Sequence, residues 1–199
     1  MDKDSNQEGK DKDQDNEEES DPLHANNIEE YYGKRVFIFL HHFAGPNDPL
    51  SAEIQKEATA AGIKVKCISV EKSSGTGDLL QDDPYNTHLG WAHNGYIDAY
   101  HSGFPCTTFS KLRFRPAEGL TGPVRTMDEP YGKKDNTAAE QEECDRGTVM
   151  ACRSIDMARA VAERKGEARI KASATLEKPP PSSQEGHLSA WELPELGAF

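Results

Sequence analysis

Long apolar runs are missing from this sequence. No stretch approaches the roughly 20 apolar residues that a transmembrane helix needs, and the polar N-terminus has no apolar segment of the kind found in secretory signal peptides. We therefore expect a protein that does not enter a membrane and that remains intracellular. The sequence does not separate the nucleus from the cytoplasm.

Cysteine is scarce and is not arranged for metal binding or for a disulfide framework. The chain has four cysteines, none in a CxxC pair and none with a histidine at zinc-finger spacing. Two adjacent histidines, His41 and His42, fall in a predicted strand, where neighbouring side chains point to opposite faces and cannot readily share one ion. We expect free thiols in a reducing compartment and no metal site.

An excess of positive charge is also missing, since the net charge is −12 and the mean hydropathy is −0.81. The chain is therefore not a globally basic nucleic-acid binder. Residues 1–22 hold ten acidic side chains and three lysines, a net charge of −7. So polar a segment cannot offset the entropy of ordering it. We predict a disordered acidic tail over residues 1–30, which aids solubility or docks on a basic partner, and one domain over residues 31–199.

A regular alternation of strand and helix patterns follows the tail. Residues 35–41 form an apolar, β-branched run that is typical of a strand buried on both faces. Residues 50–61 place Leu50, Ile54 and Ala58 at helical spacing before Gly62, and residues 63–70 alternate like a second strand. This strand-helix-strand unit predicts parallel pairing.

The same rhythm continues to the end of the chain, with a short helix at 84–94, a strand at 96–102, a long helix at 137–165 and a strand at 172–177. Residues 103–137 are too rich in glycine and proline for a regular element, and such loops often carry function. These patterns predict an α/β fold with a mostly parallel sheet and flanking helices.

Two sets of apolar residues have helical spacing. The first set marks the expected buried side of the long helix and consists of Val149, Cys152, Ile155, Met157, Ala160 and Val161. The second set lies near the end of the chain and consists of Leu188, Trp191 and Leu193.

Most of the chemistry-bearing residues lie in the turns that follow the strands. In open parallel sheets, ligands bind outside the carboxyl ends of the strands. We therefore expect one cleft to collect these turns. The chemistry-bearing residues are Phe43, Ala44 and Gly45 after the first strand, Glu71 after the second strand, Pro105 and Cys106 after the third strand, and Glu177 at the end of the fourth strand.

Three motifs in these turns, in the order FLHHFAGPNDPL, GFPCTTFS and TLEKPP, carry a resemblance. They resemble the cofactor loop, the Pro-Cys nucleophile loop and the Glu loop of S-adenosylmethionine-dependent cytosine-5 DNA methyltransferases. The resemblance spans residues 35–180, and GFPCTTFS is its most specific motif. It implies a Rossmann-like fold, S-adenosylmethionine as cofactor, and a nucleic-acid base in DNA as substrate.

The resemblance also implies a role for each turn. Cys106 would be the nucleophile that adds to the cytosine ring and creates an enamine, while Glu177 would hydrogen-bond the polar edge of the ring. A base in a duplex would have to be flipped out of the stack. The implied cofactor-binding residues are Phe43, Ala44 and Gly45 at the methionine part, Glu71 at the ribose hydroxyls, Asp78 at the adenine, and Pro105 beside them.

Some features depart from the family pattern. Pro46, Asn47 and Asp48 stand where the family usually continues with glycine, and Lys178 stands where it has asparagine. The family's later basic motif and target-recognition region have no counterpart, so we expect a domain that is incomplete at its C-terminus. The alternative is a non-catalytic remnant that serves as an interaction module or a polyprotein fragment. A different nucleotide-binding enzyme stays open as well, because no complete GxGxxG or P-loop pattern is present.

The stretch from 111 to 134 has a local charge of +3 in this acidic protein. Arg113 and Arg115 are our candidates for contacts to nucleic-acid phosphates, with a solvated surface loop as the equal alternative. The sequence indicates no oligomeric state.

Overall fold

The computed structural model describes residues 36–75, 77–115, 122–163, 172–177 and 185–194. The predicted acidic tail at 1–30 lies outside them. In the described part, four strands form one parallel sheet in the order β2-β1-β3-β4, so the predicted α/β, Rossmann-like class is confirmed. The elements in chain order are β1 (Phe37–His42), α1 (Pro49–Ala60), β2 (Val65–Val70), α2 (Asp82–His93), β3 (Ala99–Ser102), α3 (Ala138–Ala162) and β4 (Ser173–Leu176).

The central strand β1 separates two unlike faces of the sheet. Ile38 and Leu40 point to one face, where α2 and α3 cover them and build the main core. Cys67 and Ser69 of β2 point to the other face and contact Ser51 of α1. Helices on both sides of a parallel sheet explain why β1 reads as a continuous apolar run.

Helix α1 is more exposed than its apolar spacing predicts. Leu50 is 37 % exposed, and Ile54 and Ala58 are only half-buried, so the expected apolar stripe is weak. The helix is held instead at its start, where Asp48 caps it by accepting a hydrogen bond from the Ser51 amide at 3.0 Å.

Helix α3 begins as expected. Thr137 forms a capping box with Glu140, in which each side chain accepts the other residue's backbone N–H. The predicted buried side is correct at Ile155, Met157, Ala160 and Val161. It is wrong at Val149, which is 38 % exposed.

The segment 185–194 departs from the helical prediction. Its regular part is a single 3-10 turn, Ala190–Glu192, and Trp191 is 39 % exposed while Leu188 and Leu193 are buried. The two leucines enter a second hydrophobic cluster, apart from the main core, made of Phe104, Phe109, Ala151, Ile155, Leu188, Ala190 and Leu193. This cluster supports the turn that carries Cys106. None of the helices in the described ranges is long and apolar enough to cross a membrane.

Candidate functional site

The strand order brings the turns after β1 and β3 side by side. The chain runs from β1 outward to β2 and then returns to β3 on the other side of β1. Where the order reverses in this way, the helices leave on opposite faces and open a crevice at the carboxyl edge of the sheet. The predicted cofactor turn and the predicted nucleophile turn therefore follow neighbouring strands at the same edge of the sheet.

The turn after β1 bends sharply toward the end of β2. Phe43 has a φ of 57°, and its amide donates to the Val70 carbonyl at 2.9 Å. Ala44 is buried. Gly45 has a φ of 73°, which favours glycine, and a Cβ added there would meet no heavy atom within 4 Å. The backbone of Gly45 is thus open to close approach by a ligand.

Two carboxylates lie near this turn, and both have partners within the chain. Glu71 accepts the Gly45 amide at 3.2 Å on one oxygen and the Ser73 amide at 3.1 Å on the other. Asp78 pairs with Lys72 at 2.7 Å, and this hydrogen bond is the main reason that its pKa is lowered. Glu71 is therefore hydrogen-bonded to the turn after β1, whereas Asp78 is paired with Lys72.

Cys106 lies on a turn whose two sides are anchored. The residue is half-buried, and its carbonyl accepts the Phe109 amide at 2.9 Å as the chain enters a 3-10 turn, Thr107–Phe109. Phe104 and Phe109 are buried in the second cluster on either side of it, while Pro105 is exposed. Cys106 therefore lies near the surface, on a turn that buried phenylalanines hold from both sides.

Glu177 extends the ladder between β3 and β4. Its amide donates to the Ser102 carbonyl at 2.8 Å, directly before the Cys106 turn. Its side chain is 77 % exposed, and one carboxylate oxygen is 3.8 Å from the position that a Cβ on Gly103 would occupy. The structure therefore brings Glu177 and the start of the Cys106 turn together.

A row of polar side chains crosses the sheet on the face of α1. Ser69, His41, His101 and Thr175 occupy one register level on the four strands. The rings of His41 and His101 meet edge to face, 4.9 Å apart. We call these four residues the histidine row. Sequence reasoning missed it, because the signal is a shared register between strands that no single-strand pattern contains.

Asp48 closes the histidine row at one end. It accepts the His41 Nδ1–H at 2.8 Å and a hydrogen bond from the Ser69 hydroxyl. Burial alone would raise the pKa of Asp48, but the hydrogen bonds from Ser51, Ser69 and His41 outweigh burial and lower it. A carboxylate therefore sits at this end of the row.

The other face holds a buried network under α2. His42 Nε2 lies 3.1 Å from His88 Nδ1, and the Tyr100 hydroxyl lies 3.2 Å from His42 Nδ1. Burial lowers the pKa of His88 to about 4. Burial, together with the nearby His88 and His41, also lowers the pKa of His42 well below its usual value. The prediction that His41 and His42 face opposite ways is confirmed.

The basic stretch does not converge as one surface. Arg113 pairs with Glu143 of α3 and donates from Nε to the Thr107 carbonyl at 2.9 Å. Arg125 is 2 % exposed. Arg115, in contrast, is exposed. Of the two predicted phosphate contacts, Arg115 is accessible and Arg113 is engaged in holding the loop.

No family model, no curated protein and no solved structure matches this chain.

Proposed function

We propose that this chain is a methyltransferase-type domain that binds S-adenosylmethionine at the ends of β1 and β2 and acts on a nucleic-acid base with Cys106 as nucleophile. The observation that carries the proposal is the meeting of three turns at one sheet edge. These are the Gly45 turn joined to Glu71, the Cys106 turn beside it, and Glu177 next to Gly103.

The cofactor turn fits such a ligand. Gly45 leaves open space next to its backbone, and Glu71 stands at the end of β2, where sheets of this type bind ribose hydroxyls through a carboxylate. A carboxylate has about four lone-pair sites, so Glu71 retains acceptor capacity beside the Gly45 and Ser73 amides. Asp78 would have to reach the adenine while paired with Lys72. The cofactor would supply an electrophilic methyl group.

The residues of the chain would prepare the base to receive that group. The Cys106 thiolate adds to C6 of cytosine, and the electron pair of the C5–C6 double bond makes C5 nucleophilic. Glu177 holds the polar edge of the ring while negative charge develops there. Once C5 has taken the methyl group, loss of the C5 proton to water expels the thiolate and restores the ring. A duplex base must leave its stack to reach this edge.

The first test separates cofactor binding from chemistry. Calorimetric titration with S-adenosylhomocysteine is expected to detect binding by the wild-type chain and by Cys106→Ala and Cys106→Ser alike. Transfer of a labelled methyl group to cytosine-containing DNA is expected to fall by roughly a thousandfold or more in both variants, because a covalent nucleophile is lost. The matched control is Cys152→Ala, a half-buried thiol of α3. Undiminished transfer by either Cys106 variant would exclude the nucleophile assignment.

A second candidate is a non-catalytic remnant of this fold that acts as an interaction module. The observation in its favour is that Glu71, Asp78 and Arg113 each have partners within the chain. A remnant is expected to fold, as judged by a cooperative unfolding transition, yet to show no binding of S-adenosylhomocysteine and no transfer.

A further inference from the structure

We propose that His101 is a positioning residue that orients Glu177 through its Nε2. The proposal rests on the proposed function, to which it adds a second residue acting through the carboxyl group at the substrate edge. His101 is a β3 residue of the histidine row, five positions before Cys106 in the sequence.

The contacts of His101 direct one ring nitrogen to each neighbour. Nδ1 lies 2.8 Å from the Thr175 hydroxyl oxygen, and Nε2 lies 3.7 Å from the Glu177 carboxylate. The His101 side chain is 16 % exposed, compared with 77 % for Glu177. The ring is therefore held inside the sheet face and presents Nε2 outward to a carboxylate that is mostly exposed.

The neighbours of His101 fit one tautomer. The Thr175 hydroxyl donates to Nδ1 at 2.8 Å, the shorter of its two contacts, the other being the Tyr100 carbonyl at 3.4 Å. Nε2 then carries the ring proton and directs it at the Glu177 carboxylate.

The other charged and titratable groups around His101 lie along the histidine row. His41 meets its ring from β1, and Asp48 lies behind His41 at the start of α1. Burial and His41 lower the pKa of His101, whereas Glu177 and Asp48 oppose that lowering. Glu177 and Asp48 thus both favour a proton on His101, and Glu177 has the larger effect.

His101 acts by holding Glu177, so no covalent bond forms or breaks in its role. With one carboxylate oxygen drawn toward Nε2 of His101, the other oxygen is left to accept from the exocyclic amine of the base.

The pairing is tested without any enzymatic activity. The midpoint of His101, followed by NMR of its imidazole in the full chain, is expected to move to lower pH in Glu177→Gln, because the attracting carboxylate is gone. The matched control is Glu142→Gln, an exposed glutamate on α3, which is expected to leave the His101 midpoint in place. An unchanged midpoint in Glu177→Gln would overturn the pairing.

The use of the pair is tested by methyl transfer. In His101→Gln the glutamine retains a donor but does not titrate. We therefore expect the pH profile of kcat to lose the acidic limb of the wild-type profile, and kcat itself to fall by roughly tenfold or more. Binding of S-adenosylhomocysteine is expected to be unchanged. A profile identical to wild type would overturn the positioning role. If wild type transfers no methyl group, the proposed function fails and the catalytic use of the pair fails with it, while the NMR result still decides the pairing itself.

Discussion

At the scale of single residues, Arg125 shows how a loop arginine becomes a core residue. Its guanidinium lies 4.1 Å from the ring centre of Phe109 and donates to the carbonyls of Pro130 at 3.0 Å and Cys144 at 2.7 Å. It thereby ties the loop before α3 to the helix and to the Cys106 turn. Burial lowers its pKa, yet arginine remains charged in proteins.

Arg125→Ala is expected to destabilise the fold by about 3 kcal/mol, because it removes the buried hydrogen bonds to the Pro130 and Cys144 carbonyls and leaves a void under Phe109. The measurement is urea denaturation, with the midpoint falling at constant slope. Arg115→Ala, which removes an exposed arginine, is expected to change stability by less than about 0.5 kcal/mol. Equal effects of the two substitutions would contradict the buried role.

At the scale of elements, two helical glycines provide a matched pair. A Cβ added to Gly147 of α3 would lie 2.7 Å from the Thr108 hydroxyl oxygen, so the helix touches the turn after Cys106 through that glycine. A Cβ added to Gly90 of α2 would meet nothing within 4 Å. The close contact between α3 and the turn therefore depends on the missing side chain at Gly147.

We expect Gly90→Ala to stabilise the protein by about 0.5 to 1 kcal/mol, because alanine is the better helix former. Gly147→Ala is expected to destabilise it by about 1 to 3 kcal/mol, because the helix and the turn must separate. Thermal unfolding of both variants gives the comparison. A gain in stability for Gly147→Ala would show that the turn moves freely.

At the scale of the whole molecule, the buried histidines make stability depend on pH. The pKa of His88 is about 4 in the folded protein, against about 6.5 when unfolded, so the unfolded state binds more protons between these values. Stability is complete above pH 6.5 and is lost as the pH falls toward 4. The loss from His88 alone is on the order of 3 kcal/mol.

Denaturation midpoints measured from pH 7 to pH 4 test this dependence. His88→Gln removes one titrating group and is expected to make the acid loss shallower, whereas His93→Gln, an exposed histidine on the same helix, is expected to leave it unchanged. Identical acid profiles for the two variants would place the pH dependence elsewhere.

The sequence predicts the strands and helices well where apolar periodicity decides them, as in β1 and α3. The prediction fails where the burial of an apolar side chain depends on tertiary contacts. Ile63 continues the strand pattern but is 54 % exposed and precedes β2, and Trp191 fits a helical stripe but lies on a short turn facing solvent. Both side chains obey the helical or strand spacing, yet both lie at the surface of the protein.

For the candidate site, the sequence predicts which edge of the sheet the residues occupy but not their side-chain partners. Cys106 and Glu177 can be placed at one edge, because parallel strands end together. Their partners cannot be predicted, since His101 faces Glu177 only through the register of β3 with β4, and Arg113 meets Glu143 only through the path of a loop. Cross-strand and cross-loop contacts are set by tertiary structure, which local patterns do not encode.

The contact between His187 and the segment after Cys106, here called the clamp, has a consequence for synthesis of the chain. His187 reaches back to within 3.0 Å of the Phe109 carbonyl, a separation of 78 residues. Ribosomes add about 5 to 20 residues per second, so the clamp is made roughly 4 to 16 s after the turn. During that interval, the nascent polypeptide already contains Cys106 but lacks Leu188, Ala190 and Leu193, which complete the second hydrophobic cluster beside it.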